Sequence, residues 1–200
     1  EDGVFPVPLQ SEKVFESLLE GQKNASSDSI PFELQHGNQS APVTITVVSK
    51  PSCKYCAATH DEVEKLINKF KDRIHVKFRF LVEPASRNSM SYNVISKIVG
   101  LKMSRDNDTA IEAISDWYNV KNANQINSWE EKYKLCESID RDLTHDIISR
   151  HHEWCVSSDV THTPMIFFNG RALPEEFSVY DLDYQIQKAV ERKEEESIPE

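Results

Sequence analysis

Val43-Thr44-Ile45-Thr46-Val47-Val48 runs through Ser49-Lys50-Pro51-Ser52 into Cys53-Lys54-Tyr55-Cys56, and this stretch decides the fold. The first six residues are β-branched throughout, the composition of a strand buried in a sheet. Ser49-Lys50-Pro51-Ser52 breaks the strand. Val63, Leu66, Ile67 and Phe70 then recur at i, i+3, i+4 and i+7, which is one face of a helix. Ile74, Val76, Phe78, Phe80 and Val82 alternate with His75, Lys77, Arg79 and Leu81, a second strand. Residues 43–82 therefore predict one βαβ unit with parallel strands and a right-handed crossover. The C-x-x-C stands at the mouth of its helix.

Outward from that unit the chain organises itself. Residues 1–42 read as a lead-in: an amphipathic stretch near Val14–Leu19, a polar linker Asn24–Ser29 and a short strand around Ile30–Gln35. Beyond the first part of the fold, 43–83, the pattern turns helical across an insertion at 84–159. Ile111, Ile114, Trp117 and Tyr118 make one stripe, and Leu143, Ile147 and Trp154 belong to another. The second part, 160–195, has a strand at Met165–Phe168, an Asn169-Gly170 hairpin turn and a return strand Arg171–Leu173. Ser178-Val179-Tyr180-Asp181 reads as a capping box opening a last helix, and 196–200 is a tail.

Composition excludes several classes. The chain has 200 residues, 38% hydrophobic and 28% charged, with nine Pro and five Gly, which predicts one soluble globular domain. No run approaches the roughly 18 apolar residues of a membrane span. Against 23 basic residues stand 33 acidic ones, a net charge of −10, so neither nucleic acid nor an anionic lipid surface is expected as the main partner. Glu1-Asp2-Gly3 is neither an initiator Met nor a signal peptide, so the chain reads as a mature or excised fragment.

The cysteines carry the chemistry. Cys53 at a helix N-terminus would have unpaired backbone N–H groups and the positive dipole end to stabilise a thiolate, with Lys54 adding a cation next door. Cys56, one turn on, is close enough to close a disulfide with it. That spacing suits a cycling pair in which Cys53 attacks and Cys56 resolves.

The order of strand, C-x-x-C, helix, strand, helical block, Thr163-Pro164, strand, hairpin and helix resembles the thioredoxin superfamily. Val43–Cys56 with its helix, the strand at 74–82, and Thr163–Leu182 carry the likeness, over about half the chain. The position of the helical block is similar to that in bacterial disulfide oxidoreductases of the Dsb type. Ala41–Ile45, the lead-in, Trp154-Cys155 and Thr163–Pro174 look like thioredoxin-like domains of Bacteroidetes, some of which are fused to a vitamin K epoxide reductase-like membrane domain. The resemblance implies an α/β thioredoxin fold, a central mixed sheet flanked by helices, with an all-helical insertion. It implies a thiol–disulfide oxidoreductase acting on protein or peptide substrates through Cys53 and Cys56, without a cofactor. Thr163 and Pro164 would form a cis-proline loop that presents backbone to substrate, with Lys54 and Tyr55 beside it. The location would be extracytoplasmic, periplasmic, with tethering to a membrane in the full-length protein and a quinone-linked membrane domain as the recycling partner.

Two departures limit what carries over. Lys54-Tyr55 is neither Gly-Pro nor Pro-His, so the direction of the redox reaction is not borrowed. Six residues before Cys53, where thioredoxins place a buried Asp, stands Val47. Removal of the Cys56 proton then falls to water or another group; His60 and Glu64 adjoin but read as solvated residues.

Other readings stay beside this one. Cys136 and Cys155 are either a second, structural disulfide or two buried free thiols. His151, His152 and His162 near Cys155 suggest zinc, but four converging ligands are not apparent and no metal is expected. Trp117, Trp129 and Trp154 read as core. A non-catalytic peptide-binding module and a thiol metal-binding protein are the competing functions.

Overall fold

A computed structural model describes residues 11–26, 28–135 and 139–196. The β-branched run becomes β2 (Val43–Ser49), whose side chains are almost all buried, and the alternating stretch becomes β3 (Ile74–Phe80). The two pair in parallel from Val43 opposite Ile74 to Ser49 opposite Phe80. Between them runs α2 (Cys56–Phe70), with Val63, Leu66 and Phe70 buried. The βαβ unit forms as its periodicity predicts.

The sheet has five strands in the order β1-β3-β2-β4-β5. β4 (Met165–Phe168) runs antiparallel to β2, and β5 (Arg171–Ala172) returns along β4. Asn169 and Gly170 both have positive φ, 47° and 81°, as a two-residue primed turn requires. β1 covers Leu34–Gly37 and pairs antiparallel with β3. This corrects the strand expected around Ile30–Gln35: Phe32 takes a φ of 55°, which turns the chain before an extended run can begin. Gly37, at φ 84°, ends β1 where a Cβ would lie 2.1 Å from the Ile74 carbonyl oxygen, so only glycine fits.

Helices cover the sheet. α1 (Glu12–Glu20) is capped by Ser11 and packs on α7 (Leu182–Glu196). The Ser178–Asp181 capping box forms, but it opens a 3₁₀ turn that leads into α7 at Leu182. Between β3 and β4 lie α3 (Met90–Ser104), α4 (Asn107–Tyr118), α5 (Ala123–Lys132) and α6 (Arg141–Ser157). Each has a side-chain cap at its N-terminus, from Ser89, Asp106, Asn122 and Asp140. α3 packs on α4 and α6, and α6 packs on β3. Trp117, Trp129 and Trp154 are buried as expected, whereas Leu143 of the second stripe reaches the surface.

Arg79 on β3 and Glu33 form a buried ion pair, and the guanidinium lies 4.1 Å over the Trp154 ring and donates to the Asp28 carbonyl at 2.8 Å. The lead-in is thereby tied to the insertion through the sheet. No helix among the described residues is long and apolar enough to cross a membrane.

Candidate active site

β2 delivers the chain to the site, and Lys50-Pro51-Ser52 turns it. The Cys53 N–H donates to the Lys50 carbonyl at 3.0 Å, and the Cys56 N–H donates to the Cys53 carbonyl at 3.3 Å. α2 thus begins at Cys56, and Cys53 stands just outside it rather than in its first turn. That placement turns the Cys53 sulfur back onto the helix end.

The two thiols have opposite environments. Cys53 is half-buried and Cys56 is fully buried; both are free. Burial pushes the Cys53 thiol up, but hydrogen bonds from Cys56, from Thr163 and from the backbone N–H groups of Tyr55 and Cys56 outweigh it and leave its pKa lowered. Burial, reinforced by the hydrogen bond to Cys53, pushes the Cys56 thiol up to about 12. Lys54 acts elsewhere: its ammonium sits 4.7 Å over the exposed Tyr55 ring.

Thr163 and Pro164 come from 110 residues downstream. The Thr163–Pro164 peptide is cis, and the Cys53 thiol donates to the Thr163 carbonyl at 3.3 Å. Beside Pro164 opens a cleft of about 600 Å³ lined by Thr59, His162, Met165, Leu173, Phe177 and Tyr180. Cys53 itself lines a second cleft, of about 400 Å³, together with Lys54, Met90, Trp117, Val120 and Ile126.

The insertion also braces the site. Trp117 at the end of α4 donates its indole N–H to the Pro51 carbonyl at 3.0 Å, a buried bond across 66 residues. Tyr118 packs its ring 4.7 Å from that of His60, which also stacks on Phe78 at 5.2 Å. His60 is therefore buried, correcting its reading as a solvated residue; Glu64, one turn on, is exposed. The His60 Nε2 lies 3.2 Å from the buried Ser49 hydroxyl. One signal for this was in the sequence: His60 follows Cys56 by four residues and precedes Val63 by three, on the buried stripe of α2.

The remaining candidates lie apart. Cys155 is a buried free thiol, pushed up to about 12 by burial, while Cys136 lies outside the described residues. His151 is buried against Phe80, His152 is half-buried near Glu83, and His162 is exposed. No three His, Cys, Asp or Glu side chains converge as metal ligands among the described residues.

A family model described as thioredoxin matches residues 31–188, spanning both halves of the site. The chain belongs to the thioredoxin family. Solved structures agree on the fold. A periplasmic thioredoxin-like protein from Salmonella enterica superposes with a TM-score of 0.66 at 14% identity, over 90% of this chain and 98% of its own. The thiol-disulfide exchange protein alpha-DsbA2 from Wolbachia pipientis gives 0.63 at 13% identity, over 90% and 95%. Oxidised BdbD from Bacillus subtilis gives 0.62 at 12% identity, over 85% and 99%. At these identities the likeness concerns the thioredoxin fold with its helical insertion. No curated protein sequence gives a match.

Proposed function

We propose that the protein is a thiol–disulfide oxidoreductase acting on protein or peptide substrates. The observation that carries this is the asymmetry of the pair: a half-buried Cys53 with a lowered pKa beside a buried Cys56 held at about 12. A thiolate is the attacking species, and it is available where substrate can reach it. Cys53 attacks a substrate disulfide to form a mixed disulfide, and Cys56 displaces the substrate thiol; the reverse sequence oxidises a substrate dithiol. Thr163, Pro164, Lys54 and Tyr55 line the approach and hold substrate beside Cys53.

Membership of the thioredoxin family supports this reading, as do solved relatives described as periplasmic and as a thiol-disulfide exchange protein. The reaction then runs outside the cytoplasm, and a separate redox partner, such as a quinone-linked membrane domain, recycles the pair. Trapping tests the assignment. Cys56→Ser accumulates a mixed disulfide with a model peptide disulfide, because the resolving step is lost, and Cys53→Ser accumulates none. Equal trapping by both variants would overturn the roles.

A further inference from the structure

Resolution requires Cys56 to lose a proton, and its burial opposes that. The position six residues before Cys53 offers no help, since Val47 is apolar and fully buried. We propose that Tyr118, Ser49 and His60 form a buried relay that takes the Cys56 proton inward during resolution. The inference rests on the exchange chemistry proposed above.

Three observations carry it. The Ser49 hydroxyl and His60 Nε2 are 3.2 Å apart, and both side chains are buried. The Tyr118 hydroxyl is buried and has no partner in hydrogen-bonding geometry among the described residues. Burial pushes the ionisation of Tyr118 up, the nearby Ser49 hydroxyl, which would hydrogen-bond the ionised oxygen, works against it, and the charge of a thiolate at Cys56 or Cys53 adds to the rise. Buried hydroxyls are as a rule paired. An orphan one near Ser49 and two cysteines can take a proton from Cys56 while it hands its own to Ser49.

The step balances. The Cys56 sulfur bonds to the Cys53 sulfur, and the bond from Cys53 to the substrate sulfur breaks, its electron pair leaving as substrate thiolate. The Cys56 proton passes to the Tyr118 oxygen as the Tyr118 proton passes to Ser49 and the Ser49 proton to His60 Nε2. Because transfer accompanies bond formation, Cys56 loses its proton while its sulfur is becoming more acidic. Facing His60 are Ser49 from β2, Phe78 from β3, Tyr118 from α4 and Cys56 one turn back on α2; Asp181, on the 3₁₀ turn packed against α2, is engaged by Ser178. Burial holds the imidazole down to about 4, so the accepting, neutral form prevails at neutral pH.

An aromatic disulfide that releases a coloured thiolate reads both steps in one trace. Attack by Cys53 releases the first equivalent, and attack by Cys56 on the mixed disulfide releases the second. In Tyr118→Phe and in His60→Gln the second phase should slow about a hundredfold at pH 7, while the first stays within about twofold of the parent. Without the relay, the second rate should rise about tenfold per pH unit, following the thiolate fraction of Cys56, whereas the parent rate stays nearly flat above pH 5. A second phase as fast as the parent's with the same pH profile would overturn the relay. So would slowing of both phases by one factor, which marks a role in packing alone. A parent that releases no second equivalent would instead overturn the exchange reading itself.

Discussion

At Cys53 a single sulfur is pulled two ways: partial burial favours the thiol, and the donors around it favour the thiolate. The leading donor is the Cys56 thiol, so the depressed pKa belongs to the pair as much as to the helix end. Alkylation rate against pH should give a Cys53 midpoint below the ordinary 9.0, and Cys56→Ala should move it upward. A midpoint unchanged by Cys56→Ala would show that the backbone N–H groups suffice. The linkage signs are opposite for the two thiols. A depressed Cys53 stabilises the reduced fold above the ordinary thiol pKa and loses that contribution as pH falls through its own value. Cys56 contributes fully below 9.0 and loses its contribution as pH rises through about 12.

Among the elements, α4 is the one that joins the insertion to the chemistry. Its last turn places Trp117 on the Pro51 carbonyl and Tyr118 on His60. Trp117→Phe should leave that buried carbonyl without its donor and cost about 1–3 kcal/mol in denaturant unfolding. A change within experimental error would mean that the loop before Cys53 holds its shape unaided. The same helix marks where sequence reading stopped. The βαβ unit, the Asn169-Gly170 turn and the Ser178–Asp181 box were legible because each is written in residues a few positions apart. Burial of His60 was only half legible: its spacing from Cys56 and Val63 puts it on the buried stripe of α2, but the ring that covers it, Tyr118, comes from 58 positions away. The first strand slipped for a local reason, the positive φ of Phe32, a conformation an aromatic residue seldom takes.

Taken whole, the molecule buries three imidazoles among its described residues, those of His60, His75 and His151, and burial lowers the pKa of each, which should make the fold sensitive to acid. Burial holds His60 down to about 4; burial and the neighbouring Arg79 hold His151 down to about 3. A base with a lowered folded pKa stabilises the fold above its unfolded value of 6.5 and loses that contribution as pH falls toward the folded one. For His60 alone the shift amounts to about 3 kcal/mol. Stability should therefore fall between pH 6.5 and about 3, and His151→Leu should move the acid-unfolding midpoint to lower pH. An unmoved midpoint would place the acid sensitivity in the carboxylates. The sheet has one more property at this scale. Its two outer strands, β1 and β5, have four and two residues. Rows of unpaired N–H and C=O groups are the template on which chains stack into fibrils, and edges this short offer almost none. A protein that exchanges disulfides with other chains, as proposed above, would gain from borders onto which those chains cannot zip.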